Sequence, residues 1–187
     1  MLDDDDKFIF CLEAVADVEA EGQGIVFKNL EKLAFEQGIG SIYKMCDSIE
    51  GLEDSLNALL YNDHNFKNYE IIYLVMPGEK NNIRISGYYY SLEEIAELFV
   101  GRLKGKVLHF SNTKVLDLTS DEAQYFLDVT GAKAISGYGE TSHIASISLD
   151  RIFFSLFEDE DNLVEIVEDL HRKHYALCKM LDFRLYY

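Results

Sequence analysis

Three short apolar runs, Ile71–Met76, Val107–Phe110 and Ala132–Ile135, each stop at a small polar stretch and lead into a segment with helical spacing. The polar stretches are Pro77-Gly78-Glu79, Ser111-Asn112-Thr113-Lys114 and Ser136-Gly137-Tyr138-Gly139-Glu140. Runs this short and this apolar read as strands buried on both faces, and their alternation with helices demands a parallel sheet covered on both sides. The loops after such strands meet along one edge of the sheet, where these folds place their sites.

The same reading extends along the chain. A first strand is expected over Lys7–Glu13, followed by an acidic, Gly-rich loop over Asp17–Gly24 and a helix carrying Val26, Leu30, Leu33 and Ala34. Ser41–Met45 reads as a second strand, and Asp47 with Ser48 starts a helix whose stripe is Leu52, Leu56, Leu59 and Leu60. Glu70–Met76 is the third strand, and Asn81–Tyr90 alternates about Ile83 and Ile85 as a hairpin. Ser91 with Glu94 forms a capping-box pattern for a helix burying Leu92, Ile95, Ala96, Leu98, Phe99 and Leu103. Lys106–Phe110 is the fourth strand, Ser120 with Asp121 starts a helix closed near Gly131, and Ala132–Ser136 is the fifth strand. Two helices follow, Ile144–Phe157 and Leu163–Leu181, before a tail, Phe183–Tyr187, suited to an edge strand. The expected fold is a three-layer α/β sandwich, a mostly parallel sheet of about five to six strands with helices on both faces, in one domain over residues 1–187. Residues 1–7 are acidic, and Asp3–Lys7 matches a protease-cleavage tag, so no function is read from them.

Composition narrows the function classes. Apolar residues make up 48% and aromatic residues 13% of 187 residues, enough for a packed core. A formal net charge of −17 repels phosphate and so excludes nucleic acid and anionic membranes as partners. It permits a basic protein or peptide partner, and it also simply solvates the surface. The 3 cysteines, Cys11, Cys46 and Cys178, are far apart and lack metal or disulfide spacing, which fits a reducing cytoplasm. There is no positively charged signal segment and no apolar stretch of the ~20 residues that span a bilayer.

Several segments resemble a bacterial group of caspase-like proteins related to the CHAT peptidases. They are Phe10-Cys11-Leu12-Glu13, Ile72-Tyr73-Leu74 running to Pro77-Gly78, Val107-Leu108-His109-Phe110, Thr130-Gly131-Ala132 and Ser136-Gly137-Tyr138. The tail, Tyr175-Ala176-Leu177 with Leu181-Asp182-Phe183-Arg184, is similar too. In that family a His-Gly pair ends the third strand and a Cys ends the fourth, the thiolate attacking an acyl carbon with the imidazole as its proton partner. Here the His position falls on Pro77 and the Cys position on Thr113, while Gly78, His109 and Phe110 are kept. The resemblance therefore implies the scaffold without the peptidase chemistry: a catalytically inactive domain that binds a protein or peptide in a regulatory role. Its binding crevice would comprise Glu13, Pro77, Gly78, Glu79, Ser111, Asn112, Thr113, Tyr138 and Glu140, with no cofactor and no metal.

The residues also leave alternatives. Strand alternation puts His109 on one face with Ser111, so a hydrolase with Ser111 or Thr113 as nucleophile and His109 or His143 as base is the second reading. Against it, His109 reads better as a core histidine bonded to backbone or a hydroxyl, and His143 as polarity at a helix start. His64 sits in a loop sequence. His171 and His174 have metal-compatible spacing but no acidic or thiol companion, so a solvated helix face accounts for them. Gly137–Ser142 before a helix suits an anion, yet Glu13, Glu79 and Glu140 on the same edge would repel phosphate and instead receive a cationic side chain. Tyr88–Tyr90 reads either as a contact surface or as packing on the following helix.

Overall fold

The computed structural model describes residues 7–15, 24–114, 116–140 and 143–187, excluding the side chains of residues 7, 112–114 and 143. The acidic run Asp3–Asp6, residues 17–23 of the acidic loop, and the side chains of Asn112, Thr113 and His143 thus lie outside the described part. The elements run β1 (Lys7–Ala14), α1 (Ile25–Gln37), β2 (Gly40–Cys46), α2 (Ile49–Asn57), β3 (Ile71–Glu79), β4 (Asn82–Ile85), β5 (Tyr88–Ser91) and α3 (Leu92–Glu97). They continue with β6 (Val107–Lys114), α4 (Ser120–Thr130), β7 (Ala134–Tyr138), α5 (His143–Ser155), α6 (Leu163–Leu181) and β8 (Phe183–Tyr186).

These strands make one 8-stranded sheet with the order β2-β1-β3-β6-β7-β8, and the β4–β5 hairpin attached to β3. β2, β1, β3, β6 and β7 are parallel, the doubly wound order in which the chain reverses direction across the sheet between β1 and β3. β8 closes the far edge antiparallel to β7. The α/β class with a mostly parallel sheet and helices on both faces is as expected, down to the tail strand.

Alternation along each strand sorts the core into two layers. Phe10, Leu12, Ile72, Leu74, Met76, Leu108 and Phe110 pack with Leu52, Leu56, Ile95, Phe99 and Phe126, so α2, α3 and α4 cover one face. Ile9, Cys11, Ile71, Tyr73, Val107 and Ala134 pack with Leu30, Ile147, Phe153, Phe154, Ile166 and Leu170, so α1, α5 and α6 cover the other.

The polar stretches at 77–79 and 111–114 are not loops. β3 runs on through Glu79 and β6 through Lys114, because Gly78 pairs with Thr113 and Glu79 with Lys114. Between Val75↔Ser111 and Gly78↔Thr113 the register slips, giving β3 one extra residue at Met76–Pro77. Pro77 has no N–H for the ladder, and a bulge is where a central strand tolerates that loss. β7 likewise runs later than expected, over Ala134–Tyr138, since Ala132 is drawn into an isolated antiparallel bridge with Lys104.

Local signals at helix ends were partly legible. Ser91 Oγ accepts from the Glu94 N–H (3.2 Å) and Glu94 accepts from the Ser91 N–H (2.7 Å), completing the capping box. The cap of α4 is Thr119, one residue before the expected start, with Glu122 as its partner. α3 stops at Glu97, short of Leu103, because the N–H groups of Gly101 and Leu103 turn to the carbonyls of Val129 and Thr130 at the end of α4.

Candidate functional site

Strands β3, β6 and β7 present Tyr73, His109, Ser111, Ser136 and Tyr138 toward α5, and α5 answers with a single acid, Asp150. Register builds the group: Tyr73 lies opposite His109, and His109 opposite Ser136, so these polar side chains form a row across three strands. Asp150 accepts from four of them. His109 Nε2 lies 2.6 Å from Oδ1, Tyr138 OH donates to Oδ1 at 2.5 Å, Tyr73 OH donates to Oδ2 at 2.6 Å, and Ser111 Oγ donates to Oδ2. The other ring nitrogen of His109, Nδ1, lies 2.8 Å from Ser136 Oγ. The imidazole is walled by the rings of Phe154 (5.3 Å between centroids) and Phe153 (5.5 Å).

Burial decides what this constellation can do. His109, Ser111, Ser136 and Tyr138 expose 0% of their surface and Asp150 1%. The order carboxylate, imidazole, hydroxyl in Asp150–His109–Ser136 is that of a hydrolytic triad. Here, however, no group faces a substrate. The opening beside Tyr73 and Asp150 has a volume of about 10 Å³, at the lower limit for one water molecule. Burial first, and then the Asp150 charge, push the phenols of Tyr73 and Tyr138 well above their usual range, so both stay protonated as donors.

The strand ends show how the other expected residues fall. Pro77 and Gly78 stand in the bulged end of β3, and Gly78 directly opposes Thr113, so β3 and β6 bring those two sequence positions side by side. A Cβ on Gly78 would sit 2.1 Å from the Asn82 carbonyl oxygen, so only glycine lets the β4 strand return this closely. Glu13 is buried rather than set on an open edge, and Tyr43 OH donates to its Oε2 at 2.5 Å. That bond, after burial, raises the Tyr43 phenol above its ordinary range. Glu79 and Glu140 are exposed. Of the nine crevice residues expected from sequence, Ser111, Tyr138 and Glu13 are therefore interior, and the common surface predicted for them does not form. Ser111 and Tyr138 lie within strands under α5, and Glu13 is closed in by Tyr43.

A groove of about 300 Å³ does open at this end of the sheet, walled by Lys80, Asn82, Leu92, Glu93, Glu122 and Tyr125. It sits between the β3–β4 turn and the starts of α3 and α4, and sequence reading had singled out none of these residues for the crevice. A larger opening of about 630 Å³ is lined by Asp159, Glu160, Glu165, Glu168 and Asp169 and by no strand residue.

His64 stands exposed in a turn, and His171 Nδ1 lies 2.9 Å from the Val167 carbonyl on the same helix. Among the described residues no group of three or more His, Cys, Asp or Glu side chains is placed to hold a metal ion. Among them too, no helix is long and apolar enough to cross a membrane. Asp150 is the functional-looking residue that sequence reading missed. Its signal was available: a lone carboxylate inside the apolar stretch Ile147–Phe154 has to find donors.

Residues 6–187 match a family model described as a family of unknown function, DUF6642. No curated protein matches the chain.

Proposed function

We propose that this chain, which belongs to the family of unknown function DUF6642, works as a caspase-like binding module without peptidase chemistry. The observation that carries this reading is the commitment of His109 and Ser111 to Asp150 beneath α5, with 0% of either exposed. The imidazole that the strand motif retains is held in the interior. At the β3 position where the resembled family has the imidazole that partners its Cys there is Pro77, which has no titratable group. Support for the scaffold comes from the pairing of Gly78 with Thr113, which sets side by side the two strand ends where that family keeps its reactive pair. The net charge of −17 favours a basic protein or peptide as the partner, over nucleic acid or an anionic membrane. Three buried free thiols fit a reducing, cytoplasmic setting.

Incubation with a diverse peptide library and with an electrophilic hydrolase probe tests the reading. Neither cleavage nor labelling is expected, and turnover that disappears in His109→Ala would overturn it. A second reading, a hydrolase with a serine nucleophile, draws on the Asp150–His109–Ser136 alignment. It requires α5 to leave the sheet, so it predicts probe labelling of Ser136 or Ser111 that grows as α5 is loosened by Phe153→Ala.

A further inference from the structure

We propose that the outer edge of β5 is a docking strand for an extended, cationic segment of a partner protein. The inference rests on the binding-module reading but uses a surface outside the strand-end crevice.

β5 pairs only with β4, and among the described residues no strand pairs with its other side. That side presents the backbone groups of the Tyr88–Tyr90 stretch as a short template for an added strand, the Ser91 N–H being taken by the Glu94 carboxylate at 2.7 Å. The hairpin is held in place before any partner arrives. Both of its turns have two central residues with positive φ, Lys80 (51°) with Asn81 (58°) and Ser86 (52°) with Gly87 (83°), the geometry that matches strand twist. Ile83 and Ile85 anchor β4 in the core at 0% and 2% exposure. Asn81 clamps the base, accepting from the Asp117 N–H at 2.9 Å and donating to its carbonyl at 3.0 Å. A preformed strand loses little freedom on pairing.

The side chains select the partner. Other sheet edges carry a basic residue, Lys44 in β2 and Arg184 in β8, whereas Tyr88-Tyr89-Tyr90-Ser91 has neither Lys nor Pro to discourage pairing. Tyr90 packs against the core, yet Tyr88 and Tyr89 stand 68% and 52% exposed. Glu93, Glu94 and Glu97 follow directly on α3, all exposed, and outnumber with Glu79 the hairpin's own Lys80 and Arg84. A Lys or Arg side chain on the added strand thus finds tyrosine faces and carboxylates together. A second copy of this chain, at −17, would be repelled by the same field.

The test uses the full chain and a fluorescent octapeptide of alternating Arg and Val, read by polarisation and by amide chemical-shift mapping. Saturable binding is expected, with shifts centred on Tyr88–Ser91. Methylating alternate peptide nitrogens, or exchanging Arg for Glu, should weaken it at least about tenfold. So should Tyr88→Ser with Tyr89→Ser, whose circular dichroism must remain native; if that variant unfolds, the methylated peptide alone decides. No saturable binding, unchanged affinity after methylation, shifts elsewhere, or a dimer by light scattering would each overturn the proposal. Cleavage of the peptide would instead sink the binding-module reading, and the shift map would still report whether the edge is occupied.

Discussion

His109 Nε2 lies 2.6 Å from Asp150 Oδ1, and neither side chain reaches solvent. One belongs to the sheet and the other to the helix above it, and with Ser111, which also donates to Asp150, the contact ties α5 to β6. The carboxylate has four hydrogen-bonding partners, which satisfy its two oxygens in this interior.

Asp150→Ala removes that shared acceptor and leaves an imidazole and three hydroxyls without it. Loss of about 3–5 kcal/mol in denaturant unfolding is expected, the range for breaking a buried pair from one side. Asp150→Leu leaving stability unchanged would show that the network contributes no net stability.

Gly78→Ala places a methyl group 2.1 Å from the Asn82 carbonyl, against backbone that cannot rotate away. Destabilisation of about 2 kcal/mol or more is expected by thermal unfolding, in the range of overpacking. The β4–β5 amides should lose hydrogen-exchange protection first, since Gly78 pairs with Ile83.

Glu70 should make stability fall with rising pH. Burial, ahead of the opposing Lys133 charge, raises its carboxyl above the usual 4.5. Between that value and the folded one the native state holds the extra proton, so the stability it confers is complete below 4.5 and lost as pH rises through the folded pKa. Glu70→Gln should therefore match the parent near pH 4 and exceed it at neutral pH. Urea midpoints across the range measure the difference, and an opposite slope would refute it.

Cysteine reactivity should be latent. Burial pushes the Cys46 thiol up to about 11 and raises Cys11 and Cys178, and all three are buried. An aromatic disulfide reagent at pH 8 should modify the native chain slowly and 3 thiols per chain once it is unfolded. Rapid native labelling of Cys11 would contradict the packing of β1 under α1.

How much was legible varied with the range of the signal. The runs at Ile71–Met76 and Val107–Phe110 revealed central strands because burial on both faces leaves no polar position to interrupt them. The Ser91–Glu94 capping box was readable because both partners lie within four residues. Pro77 misled: it reads as a strand end, while pairing on both sides of Gly78 carries β3 past it as a bulge. Alternation does place Ser111 on the face of His109, but not the carboxylate that both of them meet there.

Periodicity, capping and turn chemistry, all interactions among near neighbours, were enough to settle the fold class, most of the strands and the long last helix. The fate of the polar residues was decided elsewhere. Asp150 meets Tyr73 across a separation of 77 positions and His109 across 41, and no local pattern encodes such a meeting. Whether a hydroxyl or an imidazole faces solvent or a buried carboxylate depends on which helix lies over which strand, and only the folded chain brings those groups within hydrogen-bond reach.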